Sequence, residues 1–476
     1  MRRNLAEPLW TLGEIVSATG GKCLGAGASP VAGFSIDSRS LQPGEGFIAI
    51  RGPNRDGHGY VIPALKAGAA CAVVDGAFPF GDEERLVRVA DTFAALNDLG
   101  QAGRTRVERA VVIGVTGSVG KTGTKEALKA ALSPSGAVHA SAKSYNNHWG
   151  VPLTLANMPR SASFGVFEIG MNHAGEIDVL TRLVRPHIAI VTTVAPVHLG
   201  FFGSIEAIAD AKAEIFHGLE PGGTAIINRD SPFYERLEGH ARDHGAKIVG
   251  FGEAEGAAAR LLSAELTPDS SKVKADILGE IVEYRFGAPG RHLVQNSLAV
   301  LAAVKVAGAN LGLAAEALGG LHAQAGRGER LVIEGSGGRI AVVDESYNAN
   351  PASMRAALAT LGLTPRSAYK RRVAVLGDML ELGSEGPRLH RELADAVDGS
   401  GVDVVFACGE LMASLYEALP ASRQGAYAKT AEDLGPRLVE AVGPGDVIMV
   451  KGSLGSRMAP LVEALKRRFE AESMSA

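Results

Sequence analysis

Short apolar runs of strand length recur along the chain, each closed by glycine or polar residues. Up to about Arg106 these are Gly46-Phe-Ile-Ala-Ile50 and Ala69-Ala-Cys-Ala-Val-Val74, with a helical stretch around Ile62–Ala67 between them. From Ala110 the rhythm changes. Ala110–Val115, Phe164–Ile169, Ile188–Thr192, Thr224–Ile227 and Lys247–Phe251 are continuous apolar runs, with helical spacing between several of them. Strand, helix and strand in alternation predict a parallel sheet covered on both faces.

A third set starts near Leu331. Ile340–Val343, Val373–Leu376, Val402–Phe406 and Val447–Val450 run straight into Asp344-Glu-Ser, Gly377-Asp-Met, Gly409-Glu and Lys451-Gly-Ser. Ligands of open α/β sheets sit outside the carboxyl ends of strands, so these polar ends form an expected binding face. Between the second and third sets lies a helical, alanine-rich stretch from Gly287, ending in Ala325-Gly-Arg-Gly-Glu, which reads as a linker. The expected organisation is α/β in three domains, residues 1–106, 107–325 and 326–476.

Length agrees, because 476 residues exceed one ordinary core. A content of 46% hydrophobic and 21% charged residues is that of a globular protein. The net charge of −4 offers no basic field for nucleic acid, so any phosphate ligand must be held by local charge. Three widely spaced cysteines suit reduced thiols rather than a disulfide framework. No apolar run reaches bilayer length, and Met1–Trp10 lacks a signal-peptide pattern. These features predict a cytoplasmic protein without membrane insertion; they do not bear on oligomeric state, for which a monomer is the expectation.

Thr116-Gly-Ser-Val-Gly-Lys-Thr122 follows an apolar strand and opens a helix expected over Thr124–Leu132. Glycines let successive N–H groups converge on a phosphate, and the helix N-terminus adds partial positive charge. Thr116, Gly117, Ser118, Val119 and Gly120 would form the cradle, Lys121 would reach the terminal phosphates, and Thr122 would bind Mg²⁺. Val115 stands where the common pattern has its first glycine. The loop predicts ATP or GTP binding, and alone it leaves ATPase, kinase, GTPase and ligase open. No guanine-reading Asn-Lys-x-Asp follows it.

Further segments, in order along nearly the whole chain, resemble the Mur ligases, which use ATP to join an amino acid or peptide to a UDP-sugar peptide. They are Ser35-Ile-Asp-Ser-Arg39, Asp56-Gly-His58, Asn146-Asn-His-Trp-Gly-Val-Pro-Leu-Thr154, Phe167-Glu-Ile-Gly-Met, Ala195-Pro-Val-His-Leu199, Asp210-Ala-Lys-Ala-Glu-Ile215, Gly290-Arg-His-Leu-Val-Gln-Asn-Ser-Leu298 and Asp344-Glu-Ser-Tyr-Asn-Ala-Asn-Pro351. The last is similar to the signature of the family's D-alanyl-D-alanine-adding branch. The resemblance implies a UDP-binding first domain, a central ATPase domain and a Rossmann-like third domain. It implies that Ser38 and Arg39 contact the uridine diphosphate, and that Asn146, Asn147, Tyr347 and Asn348 face substrate. Glu168 and His198 become ligands of two Mg²⁺ ions, and Lys212 a carbamylated lysine beside them. Asn296 would read adenine, Arg327 the ATP phosphates and Asp344 the ribose. Leu293 departs from the family, which has asparagine there. The implied substrates are UDP-N-acetylmuramoyl-tripeptide and D-alanyl-D-alanine, joined through an acyl phosphate. Another Mur-type amide ligase, of the folylpolyglutamate type for example, and an ATP-switched binding protein are the alternatives.

Overall fold

The computed structural model describes residues 8–25, 27, 29–79, 84–142, 144–197, 199–335 and 338–474. At the start, β1 (Trp10–Thr11) and β2 (Pro30–Val31) pair antiparallel. Then β3 (Phe34–Ser35), β4 (Gly46–Ile48), β5 (Cys71–Asp75) and β6 (Leu86–Val89) lie side by side in sequence order, all parallel. The expected run to Ile50 ends as a strand at Ile48, because the backbone turns there and Ile50 O accepts instead from Gly57 N at 2.9 Å.

The helix Thr92–Thr105, whose N-cap Asp91 accepts from Ala94 N, carries this unit onto the next one. It packs against the helix Gly150–Ala156 across glycines. A Cβ at Gly103 would lie 2.3 Å from Leu155 O, and one at Gly100 would lie 3.0 Å from Pro152. Trp10 Nε1 donates to Ala156 O at 2.8 Å, and the Asn157 amide brackets the Phe34 backbone at 2.7 and 3.0 Å. Leu153 and Ala156 therefore belong to the first unit's apolar core.

The central sheet has nine strands: β7 (Val111–Thr116), β8 (Val138–Ala140), β9 (Phe164–Glu168), β10 (Ile188–Val191), β11 (Thr224–Asn228), β12 (Lys247–Gly252), β13 (Ala259–Leu266), β14 (Ser271–Ile277) and β15 (Glu280–Phe286). Their spatial order is 15-14-13-12-11-10-7-9-8. Strands 8 to 13 and β7 are parallel, as the continuous apolar runs predict, while β13, β14 and β15 form an antiparallel meander. Helices Lys121–Leu132, Arg291–Val306 and Leu311–Leu318 cover one face, and Glu176–Val184, Ile205–Ala213 and Tyr234–Asp243 the other. Leu128 in the first of these helices is fully buried, so Leu128→Ala should cost about 2–5 kcal/mol.

The third sheet contains β16 (Glu329–Gly335), β17 (Gly338–Glu345), β18 (Arg371–Gly377), β19 (Val404–Cys408), β20 (Gln424–Ala428) and β21 (Asp446–Lys451), ordered 16-17-21-18-19-20. Only β16 runs antiparallel. The carboxyl ends of β17 and β21 lie side by side, with Glu345 in register with Lys451. No helix among the described residues is long and apolar enough to cross a membrane.

Candidate active site

The chain leaves β7 through the glycine loop and enters the helix Lys121–Leu132. Gly117 and Gly120 have φ of 146° and 86°. A Cβ at the first would lie 1.9 Å from Thr192 Oγ1, and at the second 2.4 Å from Asn296 Nδ2. Conformation and space both require glycine. The loop is pinned to the exit of β10: Ser118 N donates to Thr193 O at 2.8 Å, Ser118 Oγ donates to Ala195 O at 3.1 Å, and Thr192 Oγ1 donates to Val119 O at 2.6 Å. This fixes a ring of N–H groups at a helix N-terminus, the arrangement that binds phosphate.

Lys121 Nζ folds back onto Gly117 O at 2.7 Å. Burial pulls its amine below the usual lysine range, Glu168 opposes that shift and Arg327 adds to it. Glu168, at the end of β9, is 1% exposed. Its two oxygens accept from Thr122 Oγ1 at 2.8 Å and Asn146 Nδ2 at 2.7 Å, and among the described residues it meets no cation at ion-pair distance. A buried carboxylate with neutral donors alone is a site that calls for a cation. Lys212 is 2% exposed, and its amine has no hydrogen-bond partner among the described residues. Burial first, and then the charge of Lys121, hold its amine well below the ordinary range.

A cavity of 780 Å³ opens between the central and third sheets. Of the residues expected at the site, Ser118, Val119, Gly120, Lys121, Thr122, Asn146, Asn147, Glu168, Arg327, Tyr347 and Asn348 line it. Thr116, Gly117, Lys212 and Asn296 are not on its wall; Asn296 packs behind Gly120. The Thr116 hydroxyl is buried with no partner among the described residues. Asn147 Oδ1 caps the next helix, accepting from Gly150 N at 2.9 Å. Arg327 lies over the Tyr347 ring, 4.1 Å from its centroid, and donates to Ser144 Oγ at 3.2 Å, joining the third sheet's edge to the central one. Ser38 and Arg39 are not at this cavity; Arg39 is exposed at the first sheet's edge and forked onto Asp37 at 2.9 and 2.7 Å. His198 lies outside the described residues.

One expectation is corrected. Asp344 does not face the cavity: its Oδ1 accepts from Ser346 N and Oγ at 3.0 and 2.6 Å, and its Oδ2 from Gly326 N at 2.9 Å. It clamps the linker turn. Of the two neighbouring carboxylates, Glu345 is the one that lines the cavity; it is paired at 3.0 Å with Lys451, which is 3% exposed and also donates to Asn348 O. His292 faces the same cavity from the central unit. Burial lowers its pKa, Glu345 opposes this and Lys451 adds to it. Glu345, Lys451, His292 and Ser144 were not singled out by sequence; the adjacency of Glu345 to Asp344 and of Lys451 to the end of its apolar run were the available signals.

The chain matches the Mur ligase middle domain over residues 115–304 and the Mur ligase glutamate ligase domain over residues 326–454. It is 32% identical to the UDP-N-acetylmuramoyl-tripeptide--D-alanyl-D-alanine ligase of Rickettsia prowazekii, over 90% of this chain and 94% of that one. Against the enzyme of the same name from Bacillus subtilis it is 34% identical, over 91% and 93%. A crystal structure of MurF from Acinetobacter baumannii superposes with a TM-score of 0.84 at 29% identity, covering 96% of this chain and 99% of that one. Likeness of this extent spans all three sheets and the cavity between the last two, and it places the chain in the Mur ligase family.

Proposed function

We propose that the protein is an ATP-dependent ligase that joins D-alanyl-D-alanine to UDP-N-acetylmuramoyl-tripeptide, giving the pentapeptide precursor of peptidoglycan, ADP and phosphate. The observation that best supports this is the shared cavity in which the glycine loop, Lys121 and Glu168 face Arg327, Tyr347 and Asn348 from the third sheet. Such a cavity has room for a nucleotide at one end and two reacting peptides at the other.

The reaction needs a carboxylate oxygen turned into a leaving group. The tripeptide carboxylate attacks the γ-phosphorus of ATP, ADP departs, and an acyl phosphate forms. The dipeptide's neutral amine then adds to the acyl carbon, phosphate leaves, and the amine's extra proton is released. Loop N–H groups and Lys121 stabilise charge on the transferring phosphoryl group. Arg327, stacked on Tyr347 and bonded to Ser144 across the cleft, helps keep water from the acyl phosphate. Glu345, with Lys451 and His292 beside it, takes the ribose role first expected of Asp344.

Hard oxygens suit Mg²⁺, and the Glu168 carboxylate and Thr122 hydroxyl supply them. By the family resemblance His198 would add a nitrogen ligand and a carbamylated Lys212 further oxygens: a neutral Lys212 amine adds to CO₂ and loses a proton, giving a carboxylate-like oxygen pair. Mg²⁺, when bound, offsets the negative charge that ATP and the carboxylate bring together. Ser38 and Arg39 hold the uridine diphosphate on the first unit, and the protein acts as a cytoplasmic monomer.

The test is incubation with UDP-N-acetylmuramoyl-tripeptide, D-alanyl-D-alanine and Mg-ATP. Dipeptide-dependent ADP release is the expected result. Its absence from folded protein, or equal release with folate or free amino acids, would sink the assignment.

A further inference from the structure

Outside the cavity, one cluster of side chains has no part in the chemistry above. Phe93, His148 and Trp149 form a chain of edge-on rings: Phe93 to His148 at 5.7 Å and 83°, His148 to Trp149 at 4.9 Å and 65°. Phe93 is 37% exposed and His148 is exposed.

Their position is specific. All four strands of the first sheet are parallel, so its ligand edge is the carboxyl edge. Phe93 follows the carboxyl end of β6, and the Thr92 hydroxyl beside it is tied to Ala49 O, just beyond β4, at 2.8 Å. Gly52, also beyond β4, lies against the Trp149 ring, where a Cβ would be 3.1 Å from Cη2. Arg39 follows the end of β3 on the same edge. On the other side, His148 directly follows Asn147, which lines the catalytic cavity. The rings therefore bridge the ligand edge of the first sheet and the mouth of the reaction chamber.

We infer that Phe93, His148 and Trp149 form a ledge for the hexosamine ring of the substrate, between its uridine and peptide ends. The inference rests on the ligase reading. A pyranose presents a face of C–H groups to an aromatic surface while its hydroxyls and amide stay solvated, and half-exposed rings suit such an amphipathic partner. The sugar is the part of the substrate that must pass between the two polar ends, and the ledge lies on that passage.

Only two tryptophans occur, Trp10 and Trp149, and Trp10 is 3% exposed, so Trp149 can report directly. Tryptophan emission would be followed while UDP or UDP-N-acetylmuramoyl-tripeptide is added, and steady-state constants measured for Phe93→Ala and His148→Ala. The sugar-bearing ligand should change the emission, UDP alone should not, and Trp149→Phe should abolish the change. Both alanine variants should raise KM for the UDP-sugar peptide about 10-fold, leaving kcat and KM for ATP and dipeptide unaltered. A full response to UDP alone, or wild-type KM values in both variants, overturns the ledge while the ligase stands. Failure of the unaltered chain to consume dipeptide defeats the ligase reading, and the ledge with it.

Discussion

The Thr122 hydroxyl donates to Glu168 Oε2 at 2.8 Å, tying the first turn of the loop helix to the end of β9. The contact joins a phosphate cradle to a buried carboxylate, and its value is electrostatic rather than structural. Glu168→Gln keeps the shape and removes the charge; its amide oxygen can accept from Asn146 while its NH₂ donates to the Thr122 hydroxyl oxygen, which reverses that bond. Turnover should fall at least about 100-fold, as when a group stabilising the transition state is lost. Stability should shift by no more than about 1 kcal/mol, the worth of one hydrogen bond. ADP release and urea melts measure the two separately.

Lys212 carries a pH signature. Its folded-state pKa is depressed by burial and by Lys121. Between that value and the ordinary one the unfolded chain holds the extra proton, so stability rises with pH through the window and the penalty grows toward acid. Lys212→Met should therefore stabilise the protein in CO₂-free buffer, by about 1–3 kcal/mol, and more at about pH 6 than at about pH 9. The same variant should be inactive. In the unaltered protein, stripping CO₂ should lower turnover and bicarbonate should restore it.

Glu345 and Asp344 should separate cleanly. Glu345→Ala should raise KM for ATP about 10-fold or more, since a carboxylate hydrogen bond is lost from the nucleotide site. Asp344→Ala should lower stability by about 1–3 kcal/mol through the unsatisfied linker turn at Gly326 and Ser346. Titrations of ATP against each variant, with thermal melts, check both. The reverse pattern would restore the ribose role to Asp344.

Gly120→Ala places a methyl against Asn296 Nδ2 on a backbone of φ 86°. Left-handed strain of about 1–2 kcal/mol adds to displacement of the amide. Nucleotide affinity should fall sharply. Combining it with Asn296→Ala should not restore binding, because the strain persists; calorimetry with ATP reads this directly.

Sequence carried most of this architecture because buried parallel strands are continuous apolar runs, and Ala110–Val115 or Val373–Leu376 has no other good reading. The meander of β13, β14 and β15 went unread, although Ser271–Ile277 alternates buried and exposed positions in the period of a one-faced strand. The glycine loop was legible because its chemistry is local. Asp344 against Glu345 was not: neighbouring residues on a strand point to opposite faces, and only the clamp at Gly326 tells which one turns away. The pairing of Glu345 with Lys451 depends on β17 and β21 being neighbours, a register that no local pattern records.

The helix Gly150–Ala156 gives Leu153 and Ala156 to the first unit's core and Val151 and Leu155 to the central one, and the loop just before it carries Asn146 and Asn147. Those two parts cannot swing apart without tearing a shared interior. Any opening motion must then fall at the other junction, around Gly326 and Arg327. The front of the protein becomes a fixed gauge: a tethered chain presents its end to Lys121 only when its length matches the span. Nucleotide and dipeptide can come and go at the moving side while the measured strand stays at rest.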